Sequence, residues 1–232
     1  MTLSTNITQA KNLGEQAYDI LRHAILTFQL EPGQTIYEKD IAASLNISRT
    51  PIRDAIHSLI AEELIHVLPQ RTKHIAPISK RKVKENAFVR LSLERSAFQQ
   101  VAKQWRTESD CQTAEQEIER ILSEQKWASK QRDIERFLLA DEAFHKQILQ
   151  LTGNQTLLKV VYLMRGHLDR FRYLAMKEVD STEQIIAEHE QLFTFLQQQQ
   201  PERVAALLEQ HMSRIDQQFP LLEQSFPDYF VE

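Results

Sequence analysis

Apolar residues recur at helical spacing along most of the chain, but the pattern changes near residue 78. Before that point the periodic stretches are short. Helices are predicted over about 12–28, 38–45 and 49–62, separated by the turn "EPGQ" and the break "NIS". The stretch "ELIHVLPQRTKHIAPI" follows, with Val, Ile and Leu on both sides of a Pro/Gln/Arg/Thr tip, and it reads as a small β-hairpin. After residue 80 the pattern is helical throughout, with helices predicted near 80–106, 111–130, 133–151, 155–178, 182–199 and 202–218. Asp110 and Ser181 suit N-caps, "TGN" at 152–154 ends one helix and starts another, and Pro201 suits a first helical turn. The expected fold class is therefore mainly α. An N-terminal winged helix-turn-helix with a small β-hairpin spans 1–78, and a C-terminal antiparallel six-helix bundle spans 79–232.

Composition agrees with long helices: the 232 residues include four glycines and seven prolines, with 42% hydrophobic residues to build cores. The single cysteine, Cys111, excludes an internal disulfide and a Cys-based zinc site, which fits a reducing, cytoplasmic setting. The opening "MTLSTNITQAKNLGEQ" carries no export signal, and no run of about 18 apolar residues offers a membrane span. Net charge is −4, and residues 1–80 hold 8 basic and 8 acidic side chains, so any nucleic-acid contact must come from a local patch.

One such patch follows the second short helix. In "YEKDIAASLNISRTPIRDAIHSLIAEELI", residues 37–65, Ile41, Leu45, Ile47, Ile52, Ile56, Leu59 and Ile60 would pack two helices across a tight turn. Ser48 can cap the second helix, and Arg49, Thr50 and Arg53 occupy its first turns away from the apolar face. Arginine at the start of such a helix is the commonest bidentate partner of guanine in the major groove. Arg71, Lys73 and His74 at the hairpin tip could reach phosphates or the minor groove. The stretch from "ILTFQLEPGQTIYEKD" through "SRTPIRDAIHSLIAEELI" closely resembles the DNA-binding domain of the GntR family of bacterial transcription regulators, over about residues 12–79. It departs from that family's pattern at Phe28, where a small residue or Gly is common, at Glu63 in place of the Gly of "EGL", and at Thr72 in place of the wing-tip Gly.

The second half carries a different chemistry. Phe137, Asp141, Phe144, His145 and Ile148 share a helical face, as do Ile185, His189, Leu192 and Leu196, and Val204, Leu207, Leu208, His211 and Ile215. Three helices thus direct four ionisable groups toward one bundle interior, where burial is costly unless the groups pair or bind a metal. Each histidine alone would pass for an ordinary core or surface residue; together with a carboxylate they suit zinc, nickel, iron or manganese. This half resembles the FCD domain, the ligand-binding domain of the FadR-type branch of the GntR family, whose "DxxFH" helix, later "EH" helix and final His supply metal ligands. The matching residues are Asp141 and His145 in "DEAFH", His189 in "AEHEQL" and His211 in "LLEQHM".

The resemblance implies one divalent transition metal ion per chain, zinc foremost, with open positions for a small carboxylate effector. Arg90, in "RLSLE", matches the family's "R..LE"; it would hold the far carboxylate of the effector or instead pair with Glu94. Asn154 lies where the family commonly has it, and His167 falls on an apolar stripe with Val160, Leu163, Met164 and Phe171, lining the effector pocket or serving structure. The resemblance implies a homodimer, and the resulting expectation is a transcriptional repressor that binds a palindromic double-stranded DNA operator and has no catalytic residues. Two rivals are a metal-dependent oxygenase or hydrolase, against which the third histidine stands because it fills the site, and a regulator whose metal is purely structural.

Overall fold

In the computed structural model, which describes residues 12–69, 72–105, 109–163, 165–179 and 181–232, the chain forms two compact units. The first takes the described residues up to Val83 together with Gly166–Phe171 and Phe226–Glu232; the second is Lys84–Arg165 with Arg172–Ser225.

The first unit is built from α1 (Leu13–Leu26), β1 (Thr35–Ile36), α2 (Glu38–Leu45), α3 (Arg49–Ala61), β2 (Ile65–Val67), β3 (Lys73–Ile75) and β4 (Ile78–Ser79). Asn12 starts α1 by accepting a hydrogen bond from Gly14 N at 2.8 Å. The helices bury Leu21, Ile25, Ile41, Ile52, Ile56 and Leu59 around one core, closed by Leu64 and Ile75. Between α2 and α3 the turn is made by Asn46 in the left-handed region (φ 54), with Ile47 N donating back to Ala42 O at 3.1 Å. Ser48 stands at the N-cap of α3 with extended backbone, but its side chain makes no cap hydrogen bond, so its predicted capping role is corrected. The sheet has three antiparallel strands in the order β1-β3-β2, with Thr35 opposite His74 and Ile65 opposite Ile75. The hairpin was expected, whereas β1, two residues long, is too short to show an alternating pattern.

Two of the departures from the family's glycines acquire a physical meaning here. Phe28 (φ 60) and Glu63 (φ 58) both adopt left-handed backbone, which costs a residue with a Cβ roughly 1–2 kcal/mol. Each has a compensating contact. The Phe28 ring stacks on Tyr229 at 5.4 Å and lies under the buried Arg170 guanidinium at 5.4 Å, while Glu63 pairs with Lys82 at 2.8 Å. Arg170 also donates to Ala76 O at 2.6 Å. The chain's end joins the same unit: after the short 3-10 turn Pro227–Tyr229, β5 (Phe230–Val231) pairs in parallel with β4, Ile78 opposite Phe230.

The helices after β4 are α4 (Lys80–Gln104), α5 (Ser109–Gln131), α6 (Ile134–Gln150), α7 (Gln155–Leu163), α8 (Gly166–Glu178), α9 (Thr182–Gln197), α10 (Pro201–Met212) and α11 (Ile215–Ser225). There are thus eight among the described residues where six were expected. The predicted helix 155–178 is two, because the chain restarts at Gly166, where a Cβ would lie 2.7 Å from Leu64 Cδ2. The predicted helix 202–218 is likewise interrupted after Met212. Asp133 caps α6 by accepting from Arg136 N at 3.0 Å, and Pro201 opens α10 as expected. Asp110 lies inside α5 rather than ahead of it, and the Ser181 hydroxyl turns to Met176 Sδ instead of capping α9. In the second unit Phe98, Val101, Ile118, Phe144, Ile148, Leu192, Leu196 and Leu208 form the main apolar core. No helix among the described residues is long and apolar enough to cross a membrane.

Candidate metal centre and DNA-reading face

Inside the second unit the structure brings Asp141, His145, His189 and His211 together, with one ligand atom from each lying within 4.8 Å of the others. Asp141 and His145 stand one turn apart on the inner face of α6, His189 comes from α9 and His211 from α10. Each imidazole is held through Nδ1. His145 Nδ1 donates to Glu94 Oε2 at 2.7 Å and His211 Nδ1 to Glu188 Oε2 at 2.7 Å, while the Gln125 amide meets His189 Nδ1 with Oε1 at 3.0 Å and Nε2 at 2.9 Å. A carboxylate acceptor at Nδ1 keeps a ring proton there, which turns Nε2 of His145 and His211 to the centre as the ligating atom, and His189 Nε2 faces the same point.

Among the described residues, His145 Nε2 is buried without a hydrogen-bond partner, and His189 Nε2 faces His211 Nε2 at 3.4 Å. Asp141 Oδ1 lies 3.7 Å from His189 Nε2, and its other oxygen accepts from Arg172. Converging donors of this kind fit a cation. The charge states fit too: burial pushes His145 and His189 down, keeping them neutral. Burial alone would raise Asp141, but Arg172 and the neighbouring imidazoles outweigh it and hold the carboxyl well below its usual range. Neutral imidazole and ionised carboxylate are the forms that ligate a metal.

Around the donors lie residues that sequence reasoning missed. Gln125, Glu188, Arg172 and Arg214 were not foreseen; Gln125 sits on the apolar stripe Ile118, Ile121, Leu122, Ala128, where a buried amide is itself a signal. Arg90 Nε donates to Glu94 Oε1 at 2.6 Å, so the ion pair with Glu94 is formed, and Glu94 links Arg90 to His145. Asn154 is exposed and caps α7 by accepting from Leu157 N at 3.0 Å.

His167 is not among the groups brought to the centre. It lies in the first unit, where Ser79 N donates to its Nδ1 at 3.3 Å, beside Arg170, Glu63, His66 and Lys82. Burial, then Arg170, push its pKa from 6.5 down to about 4. The folded state therefore keeps His167 neutral where the unfolded chain would protonate it, so stability is full above about pH 6.5 and is lost toward pH 4. At pH 5 the loss is about 2 kcal/mol relative to pH 8. Melting curves of wild type and His167→Gln over that range should show a shallower acid decline in the variant, whose amide oxygen still accepts from Ser79.

The first unit presents Ser48, Arg49, Thr50 and Arg53 on the exposed side of α3, with Ile52, Ala55, Ile56 and Leu59 on its buried side. Lys73 lies on β3, whereas His74 is tied into the sheet by Nδ1 contacts to Gly33 O and Thr35 Oγ1. Arg71 lies outside the described residues.

Two domain families match these two regions in order. The family described as bacterial regulatory proteins, gntR family, matches residues 13–75, and the FCD domain matches residues 86–214. The chain belongs to the GntR family. This GntR-family regulator is 28% identical over 232 residues, the full length of both chains, to the HTH-type transcriptional repressor RspR of Escherichia coli (strain K12). It is 27% identical over 161 residues, 69% of this chain and 63% of the other, to the gluconate operon transcriptional repressor of Bacillus subtilis (strain 168). Among solved structures, E. coli McbR/YncC has the same fold, with a TM-score of 0.76 at 20% identity over 93% of this chain and 99% of that one. In this GntR-family chain the FCD match contains all four candidate donors, and the gntR match contains α3 and Lys73.

Proposed function

We propose that this GntR-family regulator is a repressor whose operator affinity is set by a small organic acid bound at a divalent transition metal in the FCD domain. The observation that carries this reading is the convergence of three Nδ1-anchored imidazoles and Asp141 on one point. Zinc is the first candidate for three imidazoles and one carboxylate, with nickel, iron or manganese as substitutes. When bound, the metal supplies a Lewis-acid centre for a carboxylate oxygen. The chain's part is to orient the donors and ready them: Glu94, Gln125 and Glu188 fix the imidazoles, burial keeps His145 and His189 neutral, and Arg172 holds Asp141 ionised.

Residues 1–78 read DNA in this scheme, and residues 79–232 bind the effector and a second copy of the chain. The dimer places two α3 helices on a palindromic operator in the cytoplasm. The assignment as a repressor draws on the repressors it resembles. A regulator of this kind couples two sites, and typical coupling changes affinity about 5- to 150-fold. The test is fluorescence anisotropy on a duplex selected by the protein from its own upstream region, titrated with a panel of small mono- and dicarboxylates. At least one acid should shift the DNA affinity of the metal-loaded protein about fivefold or more and leave a His189→Ala/His211→Ala variant unmoved. An equal shift in that variant would place the effector elsewhere.

A further inference from the structure

Glu38 opens α2, and its carboxylate is surrounded by the cations with which the winged helix would meet DNA. Oε1 lies 3.0 Å from Lys73 Nζ on β3, while Oε2 lies 3.6 Å from Arg49 Nη2 and 3.7 Å from Arg53 Nε on α3. The Glu38 side chain is 11% exposed, whereas those of Arg49 and Arg53 are 62% and 57% exposed. The anion therefore sits beneath the face and the two guanidiniums above it. At these distances the arginine contacts are ion pairs rather than hydrogen bonds, so they orient the guanidiniums without consuming the donors that a base edge or phosphate would use.

For affinity alone a carboxylate here is unfavourable, since it cancels positive charge on a surface that must attract phosphates. Its place at the first residue of α2 suits the helix dipole, but that requirement would be met by a carboxylate turned in any direction. What needs this direction is the link between α3 and β3. A single carboxylate joins the helix that reads bases to the strand beside the wing tip, and it sets the directions in which Arg49 and Arg53 leave the helix.

We propose that Glu38 is a specificity-determining positioning residue for DNA recognition: it holds Arg49, Arg53 and Lys73 in one arrangement and lowers attraction to phosphates in general. The proposal rests on α3 being the DNA-reading helix. Discrimination between sequences depends on a guanidinium meeting guanine with both donors aligned, which an unrestrained side chain achieves less often. Binding to arbitrary DNA depends chiefly on net positive charge, which Glu38 reduces by one.

The test uses the full chain. Wild type selects a duplex from a random-sequence library; its affinity for that duplex and for a random 30-base-pair duplex is then measured at several salt concentrations, beside Glu38→Gln and Glu38→Asp. For Glu38→Gln, binding to the random duplex should tighten about 3- to 10-fold, its salt slope should steepen by about one, and the selected-to-random affinity ratio should fall at least about fivefold. Glu38→Asp keeps the charge on a shorter arm, so random-duplex affinity should stay near wild type while the ratio falls. A ratio unchanged in both variants, with melting temperatures preserved, overturns the positioning role while leaving the DNA-reading helix intact. A wild-type protein that enriches no sequence overturns the proposal together with the reading beneath it, and the two failures are told apart by the wild-type selection alone.

Discussion

Removing the metal from the full chain is expected to lower its melting temperature by about 10 °C, and readdition of zinc to restore it. The size follows from linkage: an ion present at about a thousand times its dissociation constant contributes about 4 kcal/mol. For a chain of this length each kcal/mol moves the midpoint by about 2–4 °C. The structure supplies the reason that the metal-free fold is less stable. Without a cation, His145 Nε2 is a buried acceptor with no donor among the described residues, beside an ionised, buried Asp141 carboxylate. Asp141→Ala and His189→Ala should melt low as well, but the informative property is that zinc no longer raises their midpoints. Glu94→Gln separates ligation from orientation: it keeps all four donors and weakens the anchor on His145 Nδ1, so metal affinity should fall about 10- to 100-fold. Elemental analysis beside the melts checks the stoichiometry, expected at about one ion per chain. A midpoint insensitive to both chelator and zinc would make the cluster a buried hydrogen-bond network.

The donors themselves were legible in the sequence because helical periodicity is a strong signal in long elements. Asp141 and His145 at i,i+4 must share a face of α6, and His189 and His211 fall on the apolar stripes of α9 and α10. Their anchors were less so. Glu94 lies 51 positions from His145, and Gln125 lies 64 from His189; nothing local distinguishes a buried acceptor that meets a distant ring from one that does not. Arg90 shows the intermediate case, since its partner Glu94 is one turn away and could be named, while the onward link to His145 could not.

The fold divides the same way. The bounds of α2 agree with the pattern at 38–45 because a left-handed Asn46 ends the helix sharply. The run 155–178 reads as one helix because its apolar period continues across the restart at Gly166, and the demand for glycine there comes from Leu64, a hundred residues away in the chain. The period of 155–178 left His167 open between lining the pocket and serving structure, and what decides its surroundings is Ser79, 88 positions away, whose N donates to its Nδ1 within the first unit. Two-residue strands such as β1 and β5 exist only through their partners, so no local pattern announces them. Phe28 and Glu63 were visible as departures from glycine, but only the backbone shows that the left-handed geometry was kept and the side chains were accommodated.

Arg49→Ala and Arg53→Ala are each expected to weaken binding to the selected duplex by about 10- to 100-fold, the cost of losing one bidentate guanidinium contact, about 1–3 kcal/mol. Neither change should disturb the fold, because both side chains are more than half exposed and the buried side of α3 is carried by Ile52, Ala55, Ile56 and Leu59. The two possible roles of each arginine separate on the random duplex. A phosphate contact is lost equally from selected and random DNA and takes about one unit from the salt slope. A base contact is lost mainly from the selected duplex and relaxes the preference at one position of the motif, leaving the random duplex nearly unaffected. Arg→Lys at the same positions sharpens the distinction, since lysine keeps the point charge and loses the planar fork. Retained binding by Arg49→Lys would mark a phosphate contact, and a loss close to that of alanine would mark readout of a base. Full affinity in both alanine variants, with melting temperatures unchanged, would remove α3 from the DNA interface and leave the wing, with Lys73, as the face to test.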